Sequence, residues 1–158
     1  MVRVKDKRTL GKIAALVEQV EHRKVPVVPK RATVSEIIDA FAESDHSRIL
    51  YVVDDEGRFR GVLSLGNMIR HVFFHYHDPS IDSRSLVSMS VSETAGDFMQ
   101  REPVFAMVSD KVEDILQRMI DHNVKEIPIL DDERRVVADV TIVDLLKYYK
   151  GVKGVDLS

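Results

Sequence analysis

The chain says nearly the same thing twice, and this repetition limits what it can fold into more than any other feature. One copy runs from Leu50 to Ile69, the other from Ile127 to Leu146, and matched positions such as Asp54 and Asp131 stand 77 residues apart without a gap. Each copy is an apolar run, an acidic turn and a second apolar run, followed by a hydroxyl residue with Asn or Asp three places on. Upstream the echo continues at an offset of 78, so one extra residue lies just before Leu50. Repetition at this period implies two similar units that share a core, each too small to be stable alone.

Each unit reads as strand, helix, strand, strand, helix. Thr33 with Glu36 forms a capping-box signal before a helix that buries Ile37, Ile38 and Phe41. Asp110 with Glu113 gives the matching signal before Ile115, Leu116, Met119 and Ile120. The acidic turns at Asp54-Asp55-Glu56-Gly57 and Asp131-Asp132-Glu133-Arg134 suit hairpins between antiparallel strands. Val25 to Pro29 is a short strand confined by its prolines, and Pro103 to Ala106 is its counterpart. Residues Thr9 to Glu21 predict a helix with Leu10, Ile13, Val17 and Val20 along one stripe. The organisation expected is an N-terminal helix over 1–22, a unit over 23–76, a linker over 77–93, a second unit over 94–150 and a tail over 151–158.

Bulk properties narrow the function. A formal charge of −3 lacks the basic surplus of a nucleic-acid binder, so nucleic acid is not expected as a partner. With no cysteine, disulfides and thiolate chemistry are excluded, and a reducing cytoplasm suits the chain. No signal peptide or membrane span is evident, so a cytoplasmic location is expected.

Candidate chemistry gathers where the last strand of each copy gives way to a helix. Thr141 and Asp144 stand three residues apart, as do Ser64 and Asn67. A helix start offers free N–H groups and a positive dipole end to a phosphate. An adjacent carboxylate can accept two hydrogen bonds from a ribose diol, and a hydroxyl can donate to a phosphate oxygen. The plainer alternative is a pair of helix caps. Lys30, Arg31, Arg48, Arg70, Lys125 and Lys147 are basic residues that could meet a phosphate or simply be solvated.

In these residues the chain resembles a tandem pair of cystathionine β-synthase (CBS) domains, a Bateman module. The family's motif, glycine, two apolar residues, Thr or Ser, two more residues and Asp, is matched by Gly61 to Asn67 except at Asn67. Ala138 to Asp144 matches it except for Ala138 at the start and Asp139 at an apolar place. Ile127-Pro128-Ile129-Leu130-Asp131 matches the family's strand, where the first copy has Tyr51 instead of Pro. The resemblance covers about residues 23 to 150. It implies an α/β fold of the α+β kind: two β-α-β-β-α units packed sheet to sheet with pseudo-two-fold symmetry, plus the N-terminal helix.

The resemblance also implies a regulatory sensor of AMP, ADP, ATP or S-adenosylmethionine, with no cofactor beyond that ligand. Thr141 and Ser64 would meet phosphate, and Asp144 and Asn67 the ribose. Val27, Val28, Phe105, Ala106, Ile127 and Pro128 would lie against the base. Asp144, with its charge, is expected to hold ribose more tightly than Asn67. The family implies a homodimer, and the regulated protein is expected to be a separate chain. Two alternatives stand beside this reading: a structural dimerisation module without ligand, and a metal-dependent hydrolase built on His71, His75 and His77. The four-residue step from His71 to His75 suits a metal, but Val72 stands where a metalloprotease would carry Glu. The paired carboxylates sit in turns, so no catalytic residue, resident metal or enzymatic activity is expected.

Overall fold

The computed structural model describes residues 13–44, 47–76, 93–101 and 103–152, with side chains at all of these except 73–76 and 152. The chain divides into two compact units, one of residues 26–103 and the other of residues 1–25 with 104–158. Each holds one copy of the repeat together with a helix contributed from elsewhere in the sequence.

The unit over 26–103 contains β1 (Val27–Pro29), α2 (Val34–Glu43), β2 (Ile49–Val53), β3 (Phe59–Ser64) and α3 (Leu65–Tyr76). Its sheet has the order β1-β2-β3, with β1 parallel and β3 antiparallel to the central β2. Thr33 caps α2 through the reciprocal bonds of a capping box: its hydroxyl accepts from the Glu36 N–H, and Glu36 accepts in return. The buried stripe of α2 holds Val34 and Ile37, whereas Ile38, expected inside, is half exposed. Its position is a quarter-turn beyond the Val34–Ile37–Phe41 row, which already faces the sheet. Val28, Leu50, Val52, Leu63 and Met68 complete this core.

A short helix, α4 (Ala95–Phe98), packs into the same unit through Ala95. Behind it Gln100 pairs with Val62 of β3, each N–H bonded to the other's carbonyl. This contact explains Gly61, where a Cβ would lie 2.8 Å from the Gln100 carbonyl and from Met99 Sδ.

The other unit contains α1 (Ile13–Val20), β4 (Ala106–Met107), α5 (Val112–Asp121), β5 (Glu126–Leu130), β6 (Val136–Thr141) and α6 (Ile142–Val152). The sheet order β4-β5-β6 repeats the first in direction and register. The strand expected over Pro103 to Ala106 begins at Ala106. Helix α1 joins this core through Ile13, Leu16 and Val20 beside Ile115, Ile127, Val140 and Tyr148. Leu16 is fully buried and Val17 only partly, so the apolar stripe centres one position away from the expected row. Leu10 lies outside the described residues, as do the linker up to residue 92 and the tail beyond residue 152.

Both hairpin turns are built by an aspartate. Asp54 Oδ1 accepts the N–H groups of Glu56 and Arg58, and Asp131 Oδ1 those of Glu133 and Arg135. Gly57, at φ 80°, supplies the left-handed residue in one turn, and Arg134, at φ 65°, does so in the other. The hydrogen bond from Arg58, with those from Glu56 and Arg60, holds the Asp54 carboxyl below its ordinary range against partial burial. The cap expected at Asp110 is not formed there. Lys111 occupies the cap position, because the Asp110 carboxylate instead accepts from the Met107 N–H and from Arg118. Ile120, like Ile38, is exposed.

Candidate functional site

Strand β6 ends at Thr141 and α6 begins at the next residue, fixed by the Ile142 N–H bonding to the Lys125 carbonyl at 2.9 Å. Thr141 and Asp144 close a reciprocal cap. The Thr141 hydroxyl accepts from the Asp144 N–H at 3.2 Å, while Asp144 Oδ2 accepts from the Thr141 N–H at 2.7 Å and its hydroxyl at 3.0 Å. An anionic group in the first turn also suits the positive end of the helix dipole.

The carboxylate has a further partner that no local spacing reveals. Arg23, just beyond α1, reaches it with both arms of its guanidinium: Nη1 to Oδ1 at 2.9 Å and Nη2 to Oδ2 at 2.7 Å. Nη2 also donates to the Asp139 carbonyl at 2.7 Å. Gln19, one turn earlier, donates to the Asp144 carbonyl at 3.1 Å. The Asp144 side chain keeps 6% of its exposure and Arg23 keeps 20%. Arg23 Nε is buried without a hydrogen-bond partner.

Burial pushes the Asp144 carboxyl up. The hydrogen bonds from Arg23 and from the Thr141 N–H and hydroxyl, with the Arg23 charge, outweigh that and leave it below the ordinary carboxylate range. Arg23 is raised in turn, chiefly by its bond to Asp144 and against its own desolvation, with Asp139 and Glu126 adding negative charge nearby. Asp139, which stands where the motif is apolar, is itself buried.

The first copy differs in one respect that matters. Ser64 caps α3 by accepting the Asn67 N–H at 3.1 Å, but Asn67 is exposed and carries no charge. Arg101 stands 78 residues after Arg23, in the segment that packs against this copy, and it too is exposed, with no ion pair among the described residues. Among the described residues the repeat therefore presents one helix start closed by an internal ion pair and one without such a pair.

Ser64, Asn67, Val27 and Val28 belong to one unit; Thr141, Asp144, Phe105, Ala106, Ile127 and Pro128 belong to the other. Val28, Ala106 and Ile127 are core residues and Pro128 is buried. Val27 and Phe105 present surface, and the Arg134 guanidinium lies 5.2 Å from the Phe105 ring centre. The six basic residues Lys30, Arg31, Arg48, Arg70, Lys125 and Lys147 are all exposed, and Arg31 pairs with Asp55 at 2.8 Å. His71 Nε2 lies 2.8 Å from Glu93 Oε2, with its ring edge-on to Phe98. The His75 side chain and His77 lie outside the described residues. Among the described residues no group of three His, Asp or Glu could hold a metal ion, and no helix is long and apolar enough to cross a membrane.

The missed residues are Arg23 and Gln19. Arg23 lies 121 positions from Asp144, beyond the reach of any local motif. The one available signal was the arginine at both Arg23 and Arg101.

Comparison with known proteins agrees with this architecture. The CBS domain model matches residues 17–73 and again 95–151. A CBS domain-containing protein from Thermotoga maritima superposes with a TM-score of 0.68 at 22% identity, covering 94% of this chain and 99% of that one. CBSX2, solved in complex with AMP, gives 0.67 at 18% identity, covering 87% and 97%. At these identities the likeness shows the fold. A curated relative, the magnesium transporter MgtE of Thermus thermophilus, is 26% identical over 152 residues, covering 89% of this chain. The chain spans about 30% of that relative's length.

Proposed function

This chain belongs to the CBS domain family, and on that premise we propose that it is a regulatory module whose ligand is an adenosine compound of the AMP, ATP or S-adenosylmethionine class. The observation that carries the reading is the matched pair of hydroxyl-capped helix starts, Ser64 with Asn67 and Thr141 with Asp144, each at the end of the last strand of a CBS domain. Each turns the positive end of a helix dipole toward where a phosphate would sit, and the acceptor for ribose in the first turn is exposed at Asn67 and engaged by Arg23 at Asp144. That the similar CBSX2 was solved with AMP supports the choice of ligand class. No catalytic step is assigned. The output is a change in shape or affinity read by another protein.

A thermal-shift screen of AMP, ADP, ATP and S-adenosylmethionine tests the proposal. A ligand at 100 times its dissociation constant adds about 2.7 kcal/mol of stability. A flat response to every adenosine compound would reject it. One observation favours a second reading, a structural module without ligand: the Asp144 carboxylate is already saturated from within the chain. The same screen separates the two.

A homodimer belongs to the proposal. Ile69 and Leu146, matched positions on α3 and α6, are both about half exposed, leaving equivalent apolar residues available to a second copy. Sedimentation should give a mass of twice the single-chain 18.0 kDa at micromolar concentration, and a monomer mass would refute it.

A further inference from the structure

We propose that Arg23 gates the Asp144 site, as an internal cation that occupies the ribose acceptor and must be displaced before a ribose can bind. The inference rests on the proposed adenosine reading and deepens it.

Asp144 Oδ2 already accepts three hydrogen bonds, from Arg23 Nη2, the Thr141 N–H and the Thr141 hydroxyl, and Oδ1 accepts one from Arg23 Nη1. Two carboxylate oxygens offer about four acceptor sites, so a diol that donates two bonds cannot be added to this set. The carboxylate also has almost no surface to offer. Removing Arg23 would free two acceptor positions and leave Thr141 as the orienting partner, which is the arrangement a diol requires.

Arg23 is poorly placed as a phosphate ligand in this state. Both Nη2 protons are committed, to Asp144 and to the Asp139 carbonyl, and Nε is buried. The guanidinium faces protein acceptors, with Asp139 and Glu126 adding negative charge around it. Its displacement would also release the segment that follows α1, leaving the bond from Gln19 to the Asp144 carbonyl as the polar contact from α1 to the start of α6 among the described residues. Occupation of the site is therefore coupled to the N-terminal segment. Among the described residues the first copy has no such closure, since Asn67 is neutral and exposed and Arg101 has no ion pair there.

Calorimetry with adenosine, which has a ribose but no phosphate, tests the displacement. Arg23→Ala and Arg23→Gln should bind adenosine about tenfold more tightly at one site, because the apparent dissociation constant is the intrinsic one divided by the fraction of open molecules. The gain should vanish when Asp144→Asn is added. Adenosine binding by the wild type that is unchanged or weakened in the Arg23 variants would overturn this inference while leaving the adenosine reading intact. Absence of binding by every adenosine compound in all variants would remove both. Should the variants fold poorly, the wild type still decides: the Arg23 Nε–H resonance should shift during the titration with the calorimetric midpoint. A resonance unmoved at saturation would overturn the proposal.

Discussion

Asp144 and Asn67 occupy the same place in the repeat, and the difference of one charge gives them different lives. Asp144 is buried, capped into its helix and paired with Arg23. Asn67 is exposed and only receives its cap from Ser64. Breaking a buried ion pair by removing one partner costs about 3–5 kcal/mol, and the residual exposure of Arg23 brings the expectation here to about 2–3 kcal/mol for Asp144→Asn. Asn67→Ala should stay within about 0.5 kcal/mol. Urea denaturation of both variants checks the contrast.

The same pair predicts a pH dependence. A carboxyl held below its unfolded value contributes stability that is complete above the unfolded pKa of about 3.9 and is lost as pH falls through the folded value. Wild-type stability should therefore decline below about pH 5, and Asp144→Asn should lack this part of the decline. Equal acid sensitivity in the two proteins would contradict the depressed Asp144 carboxyl.

At the scale of elements, local signals proved legible where the residues that matter are neighbours. The Thr33 capping box and the two aspartate-anchored turns follow from spacings of two to four residues, and all three are formed. Thr33→Ala should cost about 1 kcal/mol in chemical denaturation. Asp110 shows the limit of such signals: its spacing to Glu113 suits a cap, yet its carboxylate serves the Met107 turn and Arg118. Ile38 and Ile120 were misplaced because apolar character alone does not say which of two adjacent rows meets the sheet.

Helix α1 was readable as an amphipathic helix, but its burial beside the second copy depends on contacts across more than 90 residues. Leu16→Ala should lose about 2–5 kcal/mol, the cost of a cavity at a fully buried site. A loss below 1 kcal/mol would mean that α1 is not part of that core.

For the whole molecule, the repeat made the two-unit organisation legible, and the motif pointed to the two helix starts. What it could not disclose was that one start is closed by a residue from the segment preceding the first copy. That closure is a long-range fact, visible only once β6 and α6 bring Asp139 and Asp144 to Arg23. The central claim is that this fold senses an adenosine compound, and isothermal titration of the full chain with AMP tests it most directly. The account predicts saturable binding, with Ser64→Ala and Asn67→Ala weakening the open site and leaving the fold intact. No heat of binding across a range of temperatures and no thermal stabilisation, with AMP and equally with ATP and S-adenosylmethionine, would contradict it.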